Sequence, residues 1–403
     1  MKKTLVLVAG AALSITGAAL AQGGGNYHAS GFTISDASGD NSLTVGGAAL
    51  LEYSASFRDS DAVGDQDDFT QGFGDPLVRF RFGGHVGSKK FTYKVQLTSS
   101  EFDDSTGSGS VDALAVSSFQ ADDVYGEWDM GNGWSFRWGQ FNAPYAREVT
   151  MGAESHLGTG FSQTAQYFGQ GYSQGLMFGY SDEQMRFQGS WNDGFYSANT
   201  PFNTESADYG LTARVEGIVT GAGFAQFDNP SSWMSTSGDN VLVGGAFHYE
   251  SGSETGGTTD YDSWGFTADA AWHGPGYGLS AAFFYMKWEQ GTFDASDFGF
   301  NVAGSYFFNE NVEGFARWDA FFLDNDVVSS AADDQINFLT VGVNCYPFQE
   351  SNALRFTAQL GYSLNDTSAF GSSAGSFFPS DNGFLGQNTD GEIAIELQGR
   401  FIF

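Results

Sequence analysis

The last twelve residues, Glu392 to Phe403, read EIAIELQGRFIF. Odd positions carry Ile393, Ile395, Leu397, Gly399, Phe401 and Phe403, and even positions carry Glu392, Ala394, Glu396, Gln398, Arg400 and Ile402. Successive side chains leave a pleated backbone on opposite sides, so a period of two with one greasy and one wet face marks a β-strand between apolar and aqueous surroundings. A helix would instead place its apolar residues three and four apart.

The same alternation recurs upstream. Leu354/Phe356/Ala358/Leu360/Tyr362 oppose Arg355/Thr357/Gln359, and Trp264/Phe266/Ala268/Ala270/Trp272 oppose Thr267/Asp269. Extended over the chain, it predicts sixteen strands at 42–53, 75–86, 89–98, 122–129, 133–140, 172–181, 184–192, 207–217, 240–250, 261–273, 276–288, 296–307, 311–322, 334–346, 352–363 and 392–403. The alternation is poorest at 122–129, 276–288 and 334–346. Connections alternate between long (such as 54–74, 99–121, 141–171, 289–295 and 364–391) and short (such as 87–88, 130–132 and 182–183). Long loops at one end, short turns at the other and an even strand number are the layout of an outer-membrane barrel. One connection, 218–239, is long where a short turn is expected.

Composition agrees. The 403 residues include 56 Gly, 40 Phe, 17 Tyr and 9 Trp, and no collagen period accompanies the glycine. A sandwich core would mix branched and large residues, whereas here the apolar face is rich in aromatics, Ala and Gly, with Trp134, Trp138, Trp264, Trp272, Tyr346, Phe401 and Phe403 near strand ends like an interfacial girdle. The fold class expected is all-β, a transmembrane antiparallel β-barrel of about sixteen strands.

The N-terminus sets the compartment. Met1-Lys2-Lys3, an uncharged run from Leu5 to Leu20 and Ala19-Leu20-Ala21 have the parts of a secretory signal peptide, 1–21, cut after Ala21. An uncleaved anchor is the alternative. The mature chain, 22–403, is then one barrel domain preceded by a short periplasmic segment, about 22–41, in the outer membrane of a Gram-negative-type bacterium. Cys345 is the sole cysteine, so no internal disulfide forms.

Lys and Arg number 16 against 48 Asp and Glu, a net charge of -32. Nucleic acid is excluded as a partner, since phosphate contacts need clustered bases. By the strand registers Arg79, Arg81, Lys94, Arg137, Arg186, Arg214, Arg317, Arg355 and Arg400 face inward, as do Glu52, Glu127, Asp129, Glu216, Asp269, Glu313, Asp319, Glu392 and Glu396. A barrel of this size leaves a lumen that side chains alone do not fill. The inward bases either attract small anions or pair with acids to brace the wall. Arg79 and Arg81 suit the anion role best, because no acid shares their strand face. Asp59 to Asp68 (DSDAVGDQDD), with Glu101, Asp103 and Asp104, place carboxylates on external loops, where divalent cations could bridge them to lipopolysaccharide. Solvated acidic loops are the alternative.

Trp138-Gly139-Gln140-Phe141-Asn142-Ala143-Pro144-Tyr145, followed by Glu148, resembles a stretch of the phosphate-selective porin O/P family. The sixteen-strand layout and the terminal Phe403 are also similar. The resemblance implies a homotrimeric outer-membrane channel in contact with lipids and lipopolysaccharide, whose third external loop narrows the pore. Here that constriction loop is 141–171, with Arg147, Glu148, Glu154 and His156. Asn142 and Val149 stand where phosphate-selective members carry basic residues, so the resemblance implies a general or weakly selective porin. The function expected is passive diffusion of small hydrophilic solutes and ions, with any anion (phosphate) preference set by the inward arginines. Phe403 also resembles the terminal signal by which such barrels are recognised for insertion.

Two other classes remain. A surface adhesion or structural barrel would work through loops such as 99–121 and 364–391. An outer-membrane enzyme would need a catalytic set, but the five histidines show no metal spacing and no nucleophile elbow or phosphate loop is present, so no catalytic residue, metal or cofactor is expected.

Overall fold

The computed structural model describes residues 14–16, 31–58, 69–74, 76–99, 119–202, 207–221, 223–253, 260–324, 334–365, 367, 382–385 and 391–403. Each alternating segment forms an antiparallel strand paired with its sequence neighbours. In chain order they are β1 (Ser42–Phe57), β2 (Leu77–His85), β3 (Phe91–Ser99), β4 (Phe119–Gly131), β5 (Trp134–Asn142), β6 (Tyr172–Ser181), β7 (Met185–Asn192) and β8 (Ala207–Thr220). β9 (Asn240–Ser253), β10 (Asp260–Gly274), β11 (Tyr277–Gln290), β12 (Phe293–Asn309), β13 (Val312–Phe322), β14 (Gln335–Cys345), β15 (Leu354–Ser363) and β16 (Ile393–Ile402) complete the set. β16 pairs with β1 from Ile393↔Phe57 to Ile402↔Ala48, closing a sixteen-strand barrel. Closure leaves no open edge, which a backbone in hydrocarbon requires.

Short strands extend β1 on both sides. Gly31–Ser35 pairs with Ser42–Gly46 beyond the point where β16 ends, and Phe69–Phe73 pairs with Tyr53–Phe57 above β2. Ser14–Thr16, within the expected signal, pairs with Thr33–Ser35. The β16–β1 seam does not use it.

The period of two decides which face each residue takes. On β15, Phe356, Ala358, Leu360 and Tyr362 are exposed outward while Arg355, Thr357, Gln359 and Ser363 are buried inward. Each large outward side chain moved from water into hydrocarbon contributes roughly 1.5–3 kcal/mol. Rings cluster across strands on this face, as in Phe298–Phe322 at 4.5 Å, and at the turn end, as in Trp134–Tyr180 at 5.0 Å.

Three expectations need correction. The connection 289–295 is no long loop: Gln290 pairs with Phe293, leaving only Gly291 and Thr292 as a hairpin turn. Lys287 bridges Glu289 and Asp294 across it, so polar residues that read as loop are strand. On β4 the alternation fails because of a bulge, where Val95↔Val124 is followed by Leu97↔Ala121. Two residues there oppose one, so both Asp122 and Asp123 turn inward. β5 accommodates this with Gly139, whose φ of +123° few side chains tolerate and where a Cβ would lie 2.2 Å from the Val124 carbonyl oxygen. Third, the lumen is partly solid. An apolar cluster including Tyr145, Val149, Phe168, Phe284, Phe321 and Phe338 joins the loop after β5 to the wall.

The segment after β8, odd in the sequence, is real. From Gly223 to Asp239 it lies at the turn end, includes the 3-10 turn Phe224–Phe227 and enters the barrel, burying Phe227 against Leu242 and Ala271.

Candidate functional site

The site is built by the loop between β5 and β6. It begins in the motif of β5, where each residue has a positioning task. Gln140 donates to the Asp122 carbonyl at 2.8 Å and accepts from the Asn199 amide at 2.8 Å, bracing the bulge and the next external loop. Phe141 and Tyr145 are wholly buried. The Tyr145 hydroxyl donates to the Tyr285 carbonyl at 3.3 Å, and its own carbonyl accepts from Arg214 at 3.1 Å, so the chain crosses into the lumen toward β8–β11.

Two short helices follow, α1 (Arg147–Thr150) and α2 (Gln163–Phe168). Glu148 on α1 accepts from the Ser162 amide and hydroxyl, both at 2.6 Å, and Ser162 caps α2 by accepting from the Ala165 amide at 3.1 Å. The loop thereby folds on itself. Between the helices it reaches across the barrel through Glu154, 3% exposed, behind Gly152 at a φ of +76°.

Glu154 meets four arginines' worth of wall with its near neighbours. Its carboxylate accepts from Arg79 at 2.8 Å and from Arg81, and its backbone carbonyl accepts from Arg400. Arg355 donates to the carbonyls of His156 at 2.5 Å and Gly158 at 2.8 Å. The Thr159 amide donates to Gln359 at 3.1 Å, and its hydroxyl binds Glu396. Strands β2, β15 and β16 thus hold the loop by charge-assisted bonds, which are stronger than neutral ones. Burial pushes the Glu154 carboxyl up, but Arg81 and Arg79 more than reverse this and hold it at about 2. His156 lies against Phe161 at 3.9 Å with neither ring nitrogen bonded. Burial holds its pKa well below 6.5, aided by Arg355 and Arg317.

The strand pattern made Arg79 and Arg81 the best anion candidates, and both meet carboxylates supplied from elsewhere. No acid shares their strand face, yet the loop supplies Glu154 and the bulge supplies Asp122, 3.3 Å from Arg79. The other inward bases are also partnered, and all but the half-buried Lys94 and Arg186 are buried. Lys94 meets Asp123 at 2.6 Å, and Arg137 meets Glu127 at 2.6 Å with its guanidinium 4.1 Å from the Tyr125 ring. Arg186 meets Glu216 at 2.5 Å, Arg214 meets Asp269 at 2.7 Å, and Arg317 meets Asp319 at 3.1 Å. Arg147 donates to the Phe227 carbonyl at 2.9 Å, linking the loop to the turn-end segment.

Asp122, Asp123, Gln359 and Gln398 were not singled out in the sequence. The first two were hidden by the bulge. The last two face inward by simple alternation, but nothing local says that they meet residues more than 190 positions away, as in Gln359–Thr159. The acidic stretch 59–68 and residues 101, 103 and 104 lie outside the described residues, as does most of the expected signal peptide.

What stays open lies on the other side. A cavity of about 570 Å³ at the turn end is lined by β1 to β7, including Arg81, Lys90, Lys94, Arg137 and Arg186. One further cluster has the spacing of a catalytic relay: the Thr212 hydroxyl lies 2.9 Å from His248 Nδ1, and Nε2 lies 3.2 Å from Glu250. Thr212 is only 2% exposed and also bonds Gln170 and Asn192, so the cluster braces β8, β9 and the loop.

No family model and no curated protein matches this chain. Solved structures do share its fold. The anion-selective porin from Comamonas acidovorans superposes with a TM-score of 0.60 at 13% identity, over 90% of this chain and 100% of that one. The outer-membrane channel DcaP of Acinetobacter baumannii gives 0.59 at 12% identity, covering 92% and 99%. OmpT, an outer-membrane protein of Vibrio cholerae in its trimer form, gives 0.55 at 14% identity, covering 90% and 99%. Likeness at such identity establishes the barrel architecture.

Proposed function

We propose that this chain is an outer-membrane porin that passes small hydrophilic solutes and ions by passive diffusion, with weak charge preference. The observation that carries it is the inward loop held by Arg79, Arg81, Arg355 and Arg400 beside a cavity of about 570 Å³, inside a barrel whose outer face is apolar. The carboxylate pairing of Arg79, Arg81, Lys94, Arg137, Arg186, Arg214 and Arg317 supports weak selectivity, because a base neutralised by a carboxylate offers a passing anion little field. A phosphate-selective channel would instead present unpaired bases at its narrowest point. The trimer form of one neighbour and the anion-selective name of another support a homotrimer and a modest anion bias. The porin folds of the neighbours support placement among the lipids and lipopolysaccharide of a Gram-negative outer membrane.

Reconstitution into a planar bilayer tests this. Regular conductance steps with a small reversal potential in a salt gradient are expected, and a strong anion current blocked by phosphate would overturn the weak-preference reading. The apolar cluster inside the barrel favours a second reading, a structural or adhesion barrel, which would show no steps. Release of fatty acid from detergent-dispersed phospholipid, lost on Thr212→Val, would instead reveal an enzyme.

A further inference from the structure

From the turn-end segment we infer a built-in half-plug: residues 223–239 occlude the mouth beneath β7–β14, so that solutes cross only along the wall β1–β7. This rests on the channel reading above. The segment touches wall residues in succession around that half. The Phe224 ring lies under Arg186 of β7 at 4.5 Å, and the Gln226 carbonyl lies 2.9 Å from Nδ1 of His273 on β10. Ser231 donates to Glu313 of β13 at 3.0 Å, and Trp233 packs tilted against Phe307 of β12 at 5.2 Å and edge-on to Tyr346 after β14 at 4.9 Å.

The contacts are those of a fixed element. Phe227, Ser231 and Ser232 are each no more than 4% exposed, and a buried aromatic with satisfied polar neighbours stays in place. From above, Arg147 of the constriction loop bonds the Phe227 carbonyl, so loop and segment meet and divide the lumen lengthwise. The pocket between Arg147, Pro230 and Ser305 on their side has about 60 Å³ open to water, against about 570 Å³ for the cavity along β1–β7. The neighbouring turns at the same end are short, such as 275–276 and 310–311, so the barrel does not need this length to connect two strands.

The test shortens the segment. Thr220 pairs with Val241, so replacing 221–240 by Asn-Gly makes a two-residue hairpin of favoured type. Because the segment covers eight of sixteen strands while the loop stays packed against β11, β13 and β14, single-channel conductance in a planar bilayer is expected to rise by up to about twofold. A second measurement guards against a variant that fails to fold. In a Cys345→Ser background, a charged methanethiosulfonate reagent should reduce the current of Ser135→Cys, on the β1–β7 side, and leave Ser305→Cys, behind the segment, unchanged. Equal conductance in the shortened variant, or ready modification of Ser305→Cys in the full-length chain, overturns the half-plug while leaving the channel reading intact. Absence of steps in both the full-length and shortened chains overturns both.

Discussion

Glu154→Gln is the sharpest test of the loop clamp. The substitution keeps the shape and the backbone carbonyl that Arg400 holds, but removes the charge facing Arg79 and Arg81. A carboxyl held at about 2 against an ordinary 4.5 corresponds to roughly 3 kcal/mol, at about 1.4 kcal/mol per pH unit. Breaking a buried pair by removing one partner costs about the same, ~3–5 kcal/mol. Because the folded value is depressed, the stabilisation is complete above pH 4.5 and fades as the pH falls toward about 2. Thermal unfolding in detergent micelles, followed by circular dichroism, should show the variant melting below the parent at pH 7 and the gap closing between pH 4.5 and 2. In bilayers the variant should gain anion preference, since Arg79 and Arg81 lose the carboxylate charge of Glu154. A gap that does not change with pH, or an unaltered reversal potential, would refute the assignment of Glu154 as the charge that neutralises this wall.

Further outcomes follow from the same geometry. Arg355→Ala removes the donors to the His156 and Gly158 carbonyls, bonds worth about 1.5–3 kcal/mol each, so amide hydrogen exchange of residues 154–160 should accelerate by at least tenfold; unchanged exchange would sink the clamp. Arg79→Ala with Arg81→Ala leaves Glu154 buried without those guanidiniums and should move the reversal potential toward cations, read in a salt gradient. Gly139→Val asks a branched residue to take a φ of +123° against the Val124 carbonyl and should abolish recovery of protease-resistant barrel on refolding. His156→Phe should gain stability relative to the parent as pH falls below 6.5, because the parent buries an uncharged ring that protonates when unfolded; a constant difference in melting would refute this.

The strands were legible because lipid and water ask opposite things of adjacent residues. Ile395 and Glu396 announce their faces in two letters, and the register from Ile393↔Phe57 to Ile402↔Ala48 follows once closure is assumed. What breaks the period was not legible. The bulge at Asp122 and Asp123 needs one extra residue that no local signal marks, and Gly291-Thr292 looks like any polar loop until Lys287 and Asp294 are seen to meet. The site was half legible. Inward arginines could be read from strands, but the partner of Arg79 and Arg81 sits 75 and 73 residues away on a loop whose path no pattern encodes. The excess length of 218–239 was visible as an anomaly; its direction, into the barrel, depended on Phe227 finding Leu242 and Ala271.

The seam between β1 and β16 has a temporal consequence. Gln398 bonds Glu52 across 346 residues of chain, and the Phe403 amide and carbonyl both pair with Gly47. Every other barrel strand can find its partner as a nearby hairpin, but this join has the greatest loop entropy to overcome. The first strand must therefore wait, unpaired on one side, until synthesis and export have delivered the last. Removing the Phe403–Gly47 pairing would act on assembly before it touched permeation.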